Sequence, residues 1–374
     1  MPRIFFLASS LGPTGPAKLL SMLAPALPRE HFTIAVGVAG PIAGPYAAPL
    51  KAAGVELLSL PIRHPMDVNG LWGLRDAIAR FNPDVLHVLG SQAATLARFL
   101  AFPKVGLRPM PAVIVSAADR PDDGVAGWLA RLAVRSATQV IAPTAAEGER
   151  YRNLGVASER VLVVPPGIGE PPKKTVDPKA FRRSLGIPKT SRIVIATGLF
   201  DAVAGLRSAV WAFDVVKYVA TDLYLVLVGD GPERERLERF GKALGFDDYR
   251  TRFAGIRADV PSLVRLAEVV WVTHERGGTN VALEAMVAGV PVVAVRTADL
   301  AEVVEDRVTG RLVSPADRVE LAAVTNELLE DPTLARAYGD AGRERAIAQF
   351  PVSLMAERFG RIYDDVLSRR VAAA

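Results

Sequence analysis

The chain has 374 residues, half of them hydrophobic and 23% charged, which excludes extensive disorder and is too long for one ordinary core; two domains are expected. Its 45 basic and 40 acidic residues leave a net charge of +5 with the basic residues scattered, which argues against a nucleic-acid partner and suits anionic small ligands. Cysteine is absent, excluding disulfides, thiolate metal sites and cysteine nucleophiles, and the four histidines (His31, His64, His87 and His274) lack metal-ligand spacing.

The opening MPRIFFLASSLG has a short apolar run that leads into Gly-Pro-Thr-Gly-Pro, so it reads as a buried strand, Arg3 to Ser9, and not as a secretion signal. No stretch is long and apolar enough to span a bilayer, and a cytoplasmic protein is expected. The turn from Leu11 to Lys18, containing Thr14 and Gly15, precedes an apolar-periodic helix from Leu19 to Leu27. Strand, glycine turn and helix in succession make a candidate anion site. Strands follow at 32–38, 55–60 and 85–89, with helices at 46–53 and 68–81, the latter stopped by Asn82-Pro83. Within the strand 85–89, His87 reads as a hydrogen-bonded core histidine.

The segment Arg98 to Met110 mixes basic and apolar residues and reads either as a solvated loop or as a peripheral contact with the inner face of a membrane. Asp119 follows a strand at 112–117; it is either a loop acid in solvent or an acceptor-orienting carboxylate at a strand's carboxyl end. Helices at 128–136 and 145–154 and strands at 139–142 and 161–164 lead to a stretch rich in proline and lysine, 169–180, read as a linker.

Beyond it the alternation resumes, with strands at 192–197, 223–228, 251–254 and 269–273 and helices at 181–185, 234–243 and 260–267. Arg207 lies two residues beyond Gly205 and reads equally as a surface arginine on a helix, and Arg257 lies three residues after the strand 251–254. At 277 and 278 two glycines break the last strand. The helix that follows is expected to be capped by Thr279 or Asn280, to bury Val281, Leu283, Ala285, Met286 and Ala288, and to stop at Gly289 and Pro291. The free amides at such a helix start hold phosphate without any basic side chain, and Glu284, one turn in, is an acceptor beside that place. The bland alternative is an ordinary strand–helix unit with a solvated glutamate. A strand at 290–295, a helix at 300–305, a strand at 311–313, helices at 319–329 and 332–346, and a last helix carrying Val352, Met355, Phe359, Ile362, Tyr363 and Val366 on one stripe complete the chain. This alternation predicts an α/β protein of two Rossmann-like, doubly wound domains facing across a cleft.

The segment Glu284-Ala285-Met286 with Gly289 and Pro291 resembles the signature of the retaining glycosyltransferases of family 4, two glutamates flanking seven residues and followed by Ala-Met and a Gly-x-Pro turn. Arg276 stands at the first glutamate, with Glu275 one residue out of register. Asp84 to Gly90 is similar to an Asp-x-x-His-x-His-Gly segment with Leu89 at its second histidine, and Gly15 matches the second glycine of the family's Gly-Gly loop, with Thr14 at the first. Leu199 and Ala204 stand where the family has two cations, Arg207 being a substitute close by, and Arg257 matches a base-flanking position.

The resemblance implies a GT-B fold: an acceptor-side domain over 1–168 completed by the C-terminal helix 351–370, the linker 169–180, and a nucleotide-sugar domain over 181–350. It implies transfer of a sugar from a UDP- or GDP-linked donor to a glycan, lipid or small-molecule acceptor, as in polysaccharide biosynthesis, with retention of configuration and with no metal or cofactor. Gly277, Thr279, Asn280 and Val281 would hold the phosphates and Glu284 the ribose; Gly15 would let the first domain close on them, and Arg276 or Glu275 would meet the sugar. The departures at Arg276, Leu199, Ala204 and Leu89 define the alternative, a catalytically impaired nucleotide-binding or scaffold protein. An epimerase of the same fold would need an acid and a base that the sequence does not offer.

Overall fold

The computed structural model describes residues 1–62, 67–99, 110–116, 125–169, 176–244, 249–315 and 317–373. They form two compact units, Met1–Gly167 with Val352–Ala374 and Ile168–Pro351.

The first unit runs β1 (Arg3–Ala8), α1 (Gly15–Ala26), β2 (Thr33–Ala39), α2 (Ala47–Ala52), β3 (Glu56–Leu60), α3 (Val68–Phe81), β4 (Val85–Leu89) and α4 (Ser91–Phe99). It continues with β5 (Ala112–Ser116), α5 (Val125–Arg135), β6 (Gln139–Ala142), α6 (Ala145–Asn153) and β7 (Val161–Val163). Its strands make a sheet in the order β3-β2-β1-β4-β5-β6-β7, every pair parallel. A sheet buried on both faces wants strands that are continuously apolar, as β1 is from Ile4 to Ala8. Ile4, Phe6 and Ala8 point into one core and Phe5 and Leu7 into the other, following the two-residue alternation of an extended chain. The last helix of the chain, Val352–Ala373, contributes Met355, Phe359, Ile362, Tyr363 and Val366 to the first of these cores.

The second unit runs α7 (Pro178–Ser184), β8 (Arg192–Thr197), α8 (Leu206–Val216), β9 (Leu223–Val228), α9 (Arg234–Leu244), β10 (Thr251–Gly255), α10 (Val260–Leu263) and β11 (Val269–Val272). Then come α11 (Thr279–Ala288), β12 (Val292–Val295), α12 (Ala298–Ala301), β13 (Arg311–Val313), α13 (Arg318–Glu330) and α14 (Pro332–Gln349), so the last helix of the chain is α15. The sheet order is β10-β9-β8-β11-β12-β13, again all parallel. Strand β11 divides in the same way, Val269 and Trp271 facing one core and Val270 and Val272 the other.

In each sheet the strand order reverses once, between β1 and β4 and between β8 and β11. Loops leaving adjacent strands in opposite directions open a crevice at their carboxyl ends, the place where doubly wound sheets take ligands. Three elements differ from the sequence reading. Helix α8 (Leu206–Val216) occupies a stretch between the strands at 192–197 and 223–228 for which no helix was delimited. Helix α4, over a stretch given no helix there, starts directly after Gly90, whose φ of +88° turns the chain. Helix α12 is one turn, Ala298–Ala301, and not 300–305, because Thr297 caps it by accepting from the Leu300 amide at 3.2 Å and the amides of both Val303 and Val304 fold back onto the Leu300 carbonyl.

Candidate functional site

The site is built at the reversal point of the second sheet. There β11 lies beside β8, Val270 opposite Ile195 and Trp271 opposite Ala196, and both strands end in glycine-bearing loops. In the loop after β8, Asp201 Oδ1 accepts the amides of Val203 and Ala204 at 2.9 Å each, shaping the turn that brings the chain to Gly205. Gly205 has φ of +64°, and a Cβ there would lie 2.1 Å from the Thr273 carbonyl oxygen, so only glycine fits. Thr273 Oγ1 donates to the Ala204 carbonyl at 2.8 Å and the Glu275 amide to the Val203 carbonyl at 2.9 Å. The two loops are thereby stitched into one platform.

The loop after β11 turns into α11 through Gly277 and Gly278, both left-handed at φ of +66° and +78°. The cap of α11 is the Gly278 backbone; neither Thr279 nor Asn280 caps it with a side chain, because the helix already begins at Thr279. The amides of Val281 and Ala282 donate to the Gly278 carbonyl at 3.0 and 3.1 Å. The helix donors that precede this ladder are therefore those of Thr279 and Asn280, while Val281, expected among the phosphate contacts, has its amide in use. The Gly277 amide donates to buried Asp299 at 2.9 Å. Glu284 sits in the second turn of α11 with 7% of its surface exposed. Arg276 is partly buried and Glu275 exposed in the same loop.

Two arginines expected near the ligand are held locally. Arg207, in the first turn of α8, stacks its guanidinium on the Phe240 ring at 4.8 Å. Arg257 makes a two-point ion pair with Asp259, at 2.8 and 2.7 Å, which raises the arginine and lowers the aspartate from their ordinary pKa values. Leu199 is 45% exposed and Ala204 buried, and neither brings charge to the platform.

In the first unit, Thr14 caps α1 by accepting the Ala17 amide at 3.4 Å, and Gly15 opens that helix with free space where a Cβ would be. Asp119 lies outside the described residues. His87 is fully buried in β4 with both ring nitrogens bonded, to Tyr363 Oη at 2.6 Å and Ser116 Oγ at 2.8 Å. Desolvation holds its pKa down at about 3.

His274, absent from the candidates read from the sequence, lies within the platform. Its Nε2 is 3.1 Å from where a Cβ on Gly198 would be, and its Cβ and Cγ are 2.9 Å from where one on Gly278 would be. Its Nδ1 is buried with no hydrogen-bond partner. Burial lowers the imidazole to about 4, against the opposing pull of Asp201. The signal for it was positional: it stands two residues past β11, in the loop that ends with Gly-Gly. Among the described residues no three His, Asp or Glu side chains converge as a metal site would require, and no helix is long and apolar enough to cross a membrane.

Two doubly wound parallel-sheet domains, the second with a glycine-lined platform at its reversal point, define the class of the molecule: it has the two-domain GT-B fold. Residues 14–167 match the family described as glycosyl transferase 4-like domain, and residues 177–345 match glycosyl transferases group 1. The chain belongs to the family-4 type of glycosyltransferases.

Among its relatives is N-acetyl-alpha-D-glucosaminyl L-malate synthase of Bacillus anthracis, 31% identical over 192 residues, 51% of this chain and 50% of that protein. Another is alpha-D-kanosaminyltransferase of Streptomyces kanamyceticus, 27% identical over 94% of this chain and 95% of that protein. The chain spans about half the length of the first of these and nearly all of the second. A crystal structure of Alr3699/HepE from Anabaena in complex with UDP and glucose superposes with a TM-score of 0.81 at 21% identity, covering 97% of this chain and all of that one.

Proposed function

We propose that this protein transfers a sugar from a nucleoside-diphosphate sugar to an acceptor hydroxyl, with retention of anomeric configuration and without a metal ion. The observation that carries the reading is the start of α11. Gly277 and Gly278 turn the chain so that the Thr279 and Asn280 amides lead the helix at the sheet's reversal point, with buried Glu284 one turn behind.

A diphosphate leaving group develops negative charge as the glycosidic bond breaks, and preorganised N–H donors at a helix start stabilise that charge without reorganising. Thr279 and Asn280 supply such donors. Arg276, in the same loop, adds a cation close to them in the chain. Glu284 accepts the hydroxyls of the ribose, as a buried carboxylate one turn from the phosphates can. Among the relatives named above, one is a kanosaminyltransferase and the fold neighbour was solved with UDP and glucose, which supports a nucleotide-sugar donor here.

Slow transfer of the donor sugar to water tests the reaction before the acceptor is identified. In proton NMR, UDP-glucose and GDP-mannose incubated with the protein and EDTA should release free sugar whose first-formed anomer is that of the donor. Release of the opposite anomer contradicts retention. Release only after a divalent cation is added contradicts the metal-free reading.

A further inference from the structure

A histidine that serves packing is bonded at both nitrogens in this protein, as His87 is by Tyr363 and Ser116. His274 is different. Its Nδ1 is buried without a partner, a loss that a folded chain ordinarily avoids. The ring is admitted by missing side chains on both flanking loops: Gly198 after β8, whose Cβ would also press on Ala204 at 3.1 Å, and Gly278 before α11. It therefore stands between the carboxyl ends of the two strands at which the sheet order reverses, next to the loop that delivers the Thr279 and Asn280 amides. With Nδ1 unpaired, the tautomer that leaves no buried N–H orphaned carries its proton on Nε2, the atom at the Gly198 edge of the slot.

Two buried carboxylates lie close to this place, Asp299, which accepts the Gly277 amide, and Glu284 in the second turn of α11. Asp201 acts on the ring from the β8 loop but its Oδ1 is turned to the Val203 and Ala204 amides, and Glu275 and Arg276 follow His274 in the chain. Arg207 stacks on Phe240 and Arg257 is paired with Asp259. Leu199 and Ala204 carry no charge. For a diphosphate at the reversal point the loop after β11 and the start of α11 offer the Thr279 and Asn280 amides and Arg276, and His274 is a further donor side chain embedded there.

We propose that His274 is a donor-contact residue, its Nε2–H bonding a diphosphate oxygen of the nucleotide sugar. The assignment rests on the nucleoside-diphosphate reading of the site. It also explains how the platform dispenses with cations at Leu199 and Ala204, since an N–H donor embedded between the loops does part of their work.

Calorimetric titration of the full chain with UDP, and NMR titration with uridine, on wild type, His274→Ala and His274→Gln test it. A hydrogen bond to a charged oxygen predicts that His274→Ala binds UDP about tenfold more weakly, with uridine binding unchanged and His274→Gln recovering part of the loss. Unchanged UDP affinity, or equal loss for UDP and uridine, overturns the assignment. A second readout does not require the alanine variant to fold: in ¹⁵N-imidazole spectra of the wild type, UDP must shift the His274 Nε2 resonance and uridine must not. A wild type that binds UDP, or GDP if that is its base, with a silent His274 overturns this inference alone. A wild type that binds no nucleoside diphosphate overturns the proposed function with it.

Discussion

His87 Nδ1 lies 2.6 Å from the hydroxyl of Tyr363, joining a residue of the fourth strand to one 276 positions later on the final helix. Both groups are fully buried, and the Phe359 ring packs beside the imidazole with centroids 5.4 Å apart. The apolar stripe of α15 brings the helix onto the sheet, and this bond sets where along the sheet it rests. Tyr363→Phe keeps the ring and leaves His87 Nδ1 unpaired in the core, so the variant should lose about 1–2 kcal/mol of stability in urea unfolding at neutral pH. An unchanged midpoint would show that the bond contributes nothing.

The same histidine makes the first domain acid-sensitive. Its pKa is about 3 in the folded chain against 6.5 when exposed, so between those values the unfolded chain binds a proton that the folded chain excludes. Its contribution is complete above pH 6.5 and is lost as the pH falls toward 3, at about 1.4 kcal/mol per pH unit. His274, at about 4, adds a similar slope in the second domain over a narrower window. Urea midpoints between pH 7.5 and 5 should fall more steeply for the wild type than for His87→Asn, and parallel slopes would refute the linkage.

Two glycines of the platform should separate strain from overlap. Gly205→Ala places a Cβ 2.1 Å from the Thr273 carbonyl oxygen as well as in the left-handed region, whereas Gly277→Ala meets open space at a similar φ. Loss of about 1 kcal/mol is expected for Gly277→Ala, and about 3 kcal/mol or more for Gly205→Ala. Thermal melts of the two variants decide it; equal losses would mean that the loop after β8 moves freely away from Thr273.

Arg276 forms no ion pair among the described residues and stands in the loop that leads into α11. Its guanidinium is expected to contribute to donor binding, so Arg276→Ala should weaken UDP or GDP binding about tenfold in a calorimetric titration while leaving the melting temperature of the unliganded protein unchanged. Unchanged affinity would place Arg276 outside the donor site.

Most of the fold was legible because buried parallel strands such as RIFFLA and VVWV announce themselves by continuous apolar runs, and glycine and proline punctuate the helices between them. Helix α4 was not, since SQAATLARF has small residues where a stronger apolar stripe would be expected and its start is set by the turn at Gly90. The turn at Gly277 and the helix start at Thr279 and Asn280, with Glu284 one turn in, were legible because glycines and a helix start leave a local pattern. His274 and Asp299 could not: their place depends on which strands become neighbours, a relation between β8, β11 and the chain after β12 that no local spacing encodes. The cap of α11 also went to the backbone of Gly278, because the left-handed glycine does the turning that a Thr or Asn side chain would otherwise support.

The start of α11 and Glu284 are proposed to form a working nucleotide-sugar site. The most direct measurement is the melting temperature of the purified protein, in EDTA, against rising concentrations of UDP, GDP, ADP and their sugar conjugates, repeated on Glu284→Ala. A concentration-dependent rise with one base, lost or displaced to at least tenfold higher ligand in the variant, is the predicted result. No shift for the wild type with any nucleotide at millimolar concentration would rule out that site and leave a glycosyltransferase fold serving as a scaffold.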